Sequence, residues 1–361
     1  MSALTVVPLA SLTTSRVGGP ARRYLNAESE DELIGAVRAA DEAGEPLLIV
    51  GGGSNLLISD AGFDGVVVHV ATRGLDLGAR PDGSVVLRAE AGHPWDELVA
   101  YSLREGCSGL EALSGIPGLA GATPVQNVGA YGADVSQSIT GVRAWDRHSR
   151  SIVSFTNQDL SFGYRDSVLK RSTVNGSPRY VVLSVEFGLA RGTQSAPVRY
   201  AELARALGVA PGERAAAEDV RREVLRLRAG KGMVLDARDP DTFSTGSFFT
   251  NPVVTAAEAD RLPEDAPRYP VADSGMVKLS AAWLIDRAGF PKGFGLASSG
   301  KGSGIAGGRA SLSTKHTLAV TNRGNASAAD LLAVARAVAA GVDAAFGIRL
   351  RPEPLLINCE L

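Results

Sequence analysis

The sequence is short of several things on which common functions depend. It holds two cysteines, Cys107 and Cys359, far apart and without paired spacing. That gives no support to a disulfide scaffold or a zinc site, and no metal is expected. Its four histidines, His69, His93, His148 and His316, are isolated, so no Ser-His-Asp signature can be assembled in sequence. Charge is balanced at 37 Lys+Arg against 39 Asp+Glu, a net −2, which argues against nucleic-acid binding and against a polybasic membrane surface. No apolar run approaches the roughly 18 residues of a membrane span. The stretch from Met1 to Thr14 has no basic region before Val6-Val7-Pro8-Leu9, so a cytoplasmic protein is expected. No period of about 20–50 residues recurs, which excludes a repeat architecture.

Glycine is what the chain has in excess, 42 of 361 residues, alongside 18 prolines and 45% hydrophobic residues. Without a collagen period, and with this much apolar content, the chain is globular, with a length fitting two or three domains. The glycines must serve turns or ligands.

The first half alternates helix and strand. Ser29, with Glu32 three residues on, reads as a capping box opening a helix with Leu33, Ile34, Val37 and Ala40 on one face, stopped by Gly44 and Pro46. Strands are expected at 47–50, 66–70 and 85–88, and a helix led by Pro94 carries Trp95, Leu98, Val99 and Leu103. From Gly106 to Gly132 periodicity disappears, and an irregular stretch that long is usually functional. A hairpin is expected over 142–145 and 152–155, a strand over 180–187, and a helical segment over 197–231 closing at Gly230. The last third mixes strands at 247–250, 318–321 and 355–358 with helices at 280–288 and 327–346.

Several motifs carry chemistry on one reading and none on another. Residues 295–302 spell G-x-x-x-x-G-K-G and 302–307 spell G-x-G-x-x-G, but neither has the strand-before, helix-after context of a nucleotide loop, so a loop without chemistry is expected. Gly51-Gly52-Gly53-Ser54-Asn55 follows a credible strand and is either a nest of backbone N–H groups suited to a diphosphate or a tight turn. The run from Ser114 to Gly132 has the same ambiguity, and two such runs together favour an extended cofactor. Tyr164-Arg165 is either an anion-binding pair or a solvated surface loop. Ser247 is a turn residue or a proton donor, and Glu353 a surface carboxylate or a catalytic one.

Taken in order, Arg16-Val17-Gly18-Gly19-Pro20, Gly51 to Leu57, Gly115-Ile116-Pro117-Gly118 with Gln126 to Gly132, Tyr164-Arg165-Asp166-Ser167, Gly246-Ser247-Phe248-Phe249-x-Asn251-Pro252, Leu284-Ile285-Asp286 with Lys292-Gly293, and Pro352-Glu353 resemble the UDP-N-acetylenolpyruvoylglucosamine reductases. The resemblance implies an α+β fold: a VAO/PCMH-type FAD-binding domain of two α+β subdomains, expected at 1–65 and 66–230, followed by an α+β substrate-binding domain at 231–361. It implies FAD as cofactor, NADPH as co-substrate, a UDP-sugar as substrate, and a monomeric, cytoplasmic enzyme of peptidoglycan synthesis. In the implied ping-pong cycle NADPH reduces FAD, and a hydride then passes to the enolpyruvyl β-carbon.

By the same resemblance, Gly51, Gly52, Gly53, Ser54, Asn55, Ser114, Gly115, Ile116, Pro117, Gly121, Asn127, Gly129, Ala130, Tyr131 and Gly132 hold the flavin. Arg165 and Glu353 polarise the carboxylate, Glu353 as a protonated donor, and Ser247 gives the proton. Tyr164, Asn251 and Lys292 contact substrate, and Lys231 assists Ser247 or holds a phosphate. Tyr200 matches the tyrosine of a mobile loop that closes over the UDP diphosphate in one of two subtypes. The glycine-rich 297–309 segment departs from the family pattern. An FAD-linked oxidase of a small alcohol or lactone, or a nucleotide-sugar binding module without chemistry, are the competing readings. The oxidases have no reason to carry Gly-Ser-Phe-Phe together with Pro-Glu, and retention of Ser247, Arg165 and Glu353 argues against a module without chemistry.

Overall fold

The computed structural model describes residues 7–80, 83–174, 176–271, 274–300, 302 and 304–361. It divides into two compact units, one of Val7, Ala21–Gly53 and Phe63–Gly230, the other of Pro8–Pro20, Ser54–Gly62 and Lys231–Leu361.

The first unit contains a three-stranded parallel sheet of β1 (Ala21–Ala27), β2 (Leu47–Val50) and β3 (Phe63–Val70), in the order β1-β3-β2. Helix α1 (Glu30–Glu42) lies between β1 and β2 in sequence and buries Leu33, Val37 and Ala40. Fully burying a side chain such as Leu33 or Val37 is worth about 1.5–3 kcal/mol. The Ser29 hydroxyl accepts the Glu32 N–H, but the Glu32 carboxylate takes the N–H of Glu28, at 2.8 Å, so only half of the expected capping box forms. Three acidic residues in the first turn suit the positive end of the helix dipole.

A second, larger sheet has the order β7-β6-β8-β5-β4, with β4 at Leu75–Ala79, β5 at Val85–Glu90, β6 at Ile139–Asp146, β7 at Ser151–Thr156 and β8 at Tyr180–Arg191. Every pairing along it is antiparallel. Helix α2 (Trp95–Arg104) packs Trp95 against Phe187 of β8, ring centroids 5.5 Å apart. One continuous apolar core joins Leu33, Val68, Leu87, Trp95, Val142 and Phe187.

The segment 197–231 is two helices rather than one, α3 (Ala201–Leu207) and α4 (Ala217–Gly230). Gly208 takes a left-handed conformation at φ 70° and ends α3, and Pro211-Gly212 prevents immediate resumption. Leu203, Val220 and Val224 close a small core of their own with Val198.

In the second unit, strand Leu56–Ile58 pairs in parallel with Leu355–Ile357. Two antiparallel sheets are present, one with Val253–Thr255, Met276–Leu279 and Arg268–Pro270, the other with Ala310–Leu312 and Val320–Asn322. Helix α5 (Ala281–Arg287) and helix α6 (Ala328–Phe346) share a core with Phe248 and Phe249. A complete capping box of Ser327 and Asp330 starts α6, and the Asp60 carboxylate accepts the N–H groups of Ala328 and Ala329 at 2.8 and 3.0 Å. Residues 247–250, expected as a strand, make only a single antiparallel bridge, Phe249 to Pro352. The 295–309 stretch forms a short 3-10 turn at Ala297–Ser299 and is followed by strand Ala310–Leu312, with no helix directly after it among the described residues. Lys301 and Ser303 of the two nucleotide-like patterns lie outside the described residues. Among the described residues no helix is long and apolar enough to cross a membrane.

Candidate active site

In the first unit β2 runs directly into Gly51-Gly52-Gly53. A Cβ on Gly52 would stand 2.7 Å from the Gly118 Cα, so the two glycine runs touch backbone to backbone. This is the close main-chain approach that side chains would prevent, and it leaves polar backbone, not side chains, to face a ligand.

The second run is gripped from α2. The Trp95 indole N–H donates to the Leu113 carbonyl (2.9 Å), the Trp95 backbone N–H to the Gly118 carbonyl (3.0 Å), and the Gly115 N–H to Asp96 Oδ1 (2.6 Å). Further on, the N–H groups of Ala120 and Gly121 donate to the carbonyls of His93 and Ala91. Gly115 sits at φ 70°, which an L side chain rarely adopts. Ser114 is fully buried and its hydroxyl donates to the Glu111 carbonyl at 2.7 Å. Ile116 and Pro117 are half-buried.

Asn127 and Arg165 lock two loops to each other. The Asn127 amide donates to the Gly163 carbonyl at 2.9 Å and its Oδ1 accepts the Ser136 N–H at 3.1 Å. In return the Arg165 guanidinium donates to the carbonyls of Asn127 (3.3 Å) and Gly129 (2.9 Å). Both residues hold positive φ, 43° and 54°, as does Tyr131 at 50°. Such conformations in non-glycine residues cluster at functional sites. Ser167 is buried and donates to the Val125 carbonyl at 2.7 Å. The 164–167 motif is therefore fastened to the 125–129 run and is not a solvated loop. Its Tyr164 remains exposed.

Tyr200 precedes α3, is 42% exposed, and meets the Tyr131 ring edge-on at 5.4 Å. The segment carrying it is anchored at residues no motif indicated. Buried Glu111 accepts the N–H groups of Gly109 and Ala196, both at 2.6 Å. Arg221 of α4 makes a two-pronged ion pair with Asp96 at 2.6 and 2.8 Å. Burial lowers the pKa of Arg228 to about 10, against the raising effect of Tyr131 and Asp96 nearby. Asp96, Glu111 and Arg221 share no sequence pattern, and Asp96 and Arg221 lie 125 positions apart.

In the second unit, Ser247 and Glu353 come from distant segments. The Glu353 N–H donates to the Phe248 carbonyl (2.8 Å) and the Thr250 N–H to the Arg351 carbonyl (3.1 Å), while the Phe248 N–H donates to Leu318. That antiparallel register sets Glu353 opposite Phe248, one residue from Ser247. Phe248 and Phe249 are buried and anchor the strip. Asn55, also in this unit, accepts the Leu355 N–H and donates from its amide to the Glu353 carbonyl at 3.4 Å. Asn251 Oδ1 accepts the Ala281 N–H at 3.0 Å at the start of α5. Lys292 is exposed and Lys231 half-buried. Buried Asp241 accepts from the Thr314 N–H (2.8 Å), the Thr314 hydroxyl (2.5 Å) and Arg323 (2.8 Å), holding the segment before Ser247. Burial pushes Asp241 up, and the Thr314 and Arg323 contacts outweigh it, leaving its carboxyl below the usual range. Among the described residues no cluster of three His, Cys, Asp or Glu could hold a metal.

Comparison with known proteins bears directly on these features. Residues 21–153 match the FAD binding domain family, and residues 239–357 match the C-terminal domain of UDP-N-acetylenolpyruvoylglucosamine reductase. The reductase of that name from Saccharopolyspora erythraea is 53% identical, over 98% of this chain and 95% of its own. The one from Mycolicibacterium smegmatis is also 53% identical, over 98% and 95%. Among solved structures, the UDP-N-acetylenolpyruvylglucosamine reductase of Thermus caldophilus superposes with a TM-score of 0.65 at 25% identity, covering 97% of each chain. The Gly52–Gly118 approach fits the cofactor that the first match implies. The chain belongs to the UDP-N-acetylenolpyruvoylglucosamine reductase family and is an FAD-dependent oxidoreductase.

Proposed function

We propose that the chain reduces UDP-N-acetyl-3-O-(1-carboxyvinyl)-glucosamine to UDP-N-acetylmuramate with NADPH, through FAD in a ping-pong cycle, as a cytoplasmic monomer in peptidoglycan synthesis. The observation that carries this reading is similarity over nearly the whole chain to reductases of that name. Backbone N–H groups of Gly51–Gly53, with Ser54, Asn55 and the runs Ser114–Pro117, Gly121 and Asn127–Gly132, would hold FAD. The chemistry FAD supplies when bound is two-electron transfer, from NADPH and then to the β-carbon of the enolpyruvyl group.

The chain's own residues manage charge and proton. Negative charge grows on the enolpyruvyl carboxylate as the β-carbon gains its hydride, and Arg165 and Glu353 stabilise it there. Ser247 Oγ gives its proton to the α-carbon, so that hydride and proton together saturate the double bond. Lys231 assists that serine or holds a phosphate, Tyr164, Asn251 and Lys292 contact the substrate, and Tyr200 closes over the diphosphate. Every partner is a small molecule, with neither nucleic acid nor membrane involved.

The test is spectroscopic. The purified protein is yellow, absorbing at about 450 nm, bleaches under NADPH without oxygen, and regains its colour when the enolpyruvyl substrate is added. A colourless protein that takes up no FAD contradicts the reading. So does a reduced flavin that the substrate fails to reoxidise.

A further inference from the structure

Resting on the reading that the Ser114–Gly132 run holds the flavin, we infer that Asp96 is a positioning residue for that run. Arg221 completes it, tying flavin affinity to the segment that carries Tyr200. Gly115 is buried, and its N–H finds its acceptor in Asp96 Oδ1 at 2.6 Å. The same oxygen accepts Arg221 at 2.6 Å, and Asp96 Oδ2 accepts the second Arg221 prong at 2.8 Å. One carboxylate thus joins three parts of the first unit: the start of α2, the glycine run and helix α4.

The chemistry of this junction is specific. A bidentate guanidinium fixes the plane of the carboxylate, so Oδ1 is aimed at Gly115 instead of rotating toward water. Burial raises the Asp96 carboxyl, but Arg221, the Gly115 N–H and the Arg228 charge outweigh it and hold it below the usual range, so the acceptor stays ionised at neutral pH. Gly115 needs this help because its φ of 70° belongs to one backbone state among the many a glycine can adopt. The two Trp95 bonds, to Leu113 and Gly118, fix the run on either side of Gly115. Asp96 holds Gly115 between them. Helix α4 shares a small core with α3, the helix that Tyr200 precedes, so a shift of that segment moves Arg221 and releases the carboxylate.

The test is titration of FAD into flavin-stripped protein for the wild type, Asp96→Asn, Arg221→Met and the double variant, followed by flavin fluorescence. Losing one charged hydrogen bond of this kind weakens binding by about tenfold or more. Each single variant should show that loss, the double variant little more than Asp96→Asn alone, and saturating FAD should restore turnover, which it would not do for a merely misfolded site. Arg221→Lys, which keeps the charge without the fork, should fall between. Should Arg221→Met fail to fold, the lysine variant carries the test. Unchanged FAD affinity in the Arg221 variants, or losses that simply add, would overturn the inference while leaving the flavin site intact. Wild-type protein that binds no FAD would instead overturn the reading beneath it.

Discussion

Gly52→Ala against Gly51→Ala is a comparison the structure decides in advance. The two positions are neighbours, neither has positive φ, and the same methyl is added at each, so backbone preference and composition cancel. At Gly52 the new Cβ meets the Gly118 Cα at 2.7 Å and its carbonyl carbon at 3.3 Å. Both are main-chain atoms in a run pinned by Trp95 and Asp96, and they cannot swing aside. At Gly51 the nearest atom is the end of the Leu119 side chain at 3.4 Å, an ordinary contact. Overpacking against fixed backbone costs about 1–3 kcal/mol, roughly 2–12 °C in melting temperature for a unit of this size. If the runs part to relieve the clash, the cost moves to the cofactor, as about a 5–150-fold weaker FAD affinity. Thermal melts of flavin-stripped protein and FAD titrations of both variants measure the two losses. Equal behaviour of Gly51→Ala and Gly52→Ala in both assays would refute the backbone contact and the cradle built from it.

Glu111→Ala removes the acceptor of two backbone N–H groups in a site that is 1% exposed. It should lower stability by about 1–3 kcal/mol or more, read as a shift in urea midpoint. Tyr200→Ala should raise KM for the UDP-sugar about tenfold while leaving flavin reduction by NADPH unchanged, a split that steady-state and single-turnover kinetics separate. Acid stability follows from Asp330, whose pKa is lowered to about 2 by its Arg309 hydrogen bond, with burial opposing and Ser327 assisting. A carboxylate depressed on folding stabilises the protein above its unfolded pKa and loses that contribution as pH falls through the folded value. Urea midpoints should therefore fall between about pH 4 and pH 2, and Asp330→Asn should flatten part of that slope.

Much of this fold was legible because its signals are local. The Ser29 and Ser327 caps, the Leu33-Val37-Ala40 stripe and the Leu47–Val50 strand each need only a few neighbouring residues to declare themselves. Local signals were also available where one helical segment was expected over 197–231, since Gly208 and Pro211-Gly212 break it. Hydrophobic period there outweighed punctuation. Residues 247–250 read as a strand because Phe248 and Phe249 are apolar, yet those rings are buried in the second unit's apolar core and not by a sheet. The irregular 106–132 stretch announced a function without revealing its supports, because Asp96, Glu111 and Arg221 act through contacts that no spacing encodes. The same holds for Pro8–Pro20 and Ser54–Gly62, whose place in the second unit depends on pairing between Leu56–Ile58 and Leu355–Ile357.

If Ser247 delivers the proton that completes substrate reduction, as we propose, the two half-reactions of Ser247→Ala come apart. Followed anaerobically by flavin absorbance, reduction by NADPH should proceed at the wild-type rate, while reoxidation by the enolpyruvyl substrate should slow by about 10²–10⁴-fold. Equal slowing of both steps, or reoxidation at the wild-type rate, would rule out Ser247 as the proton donor.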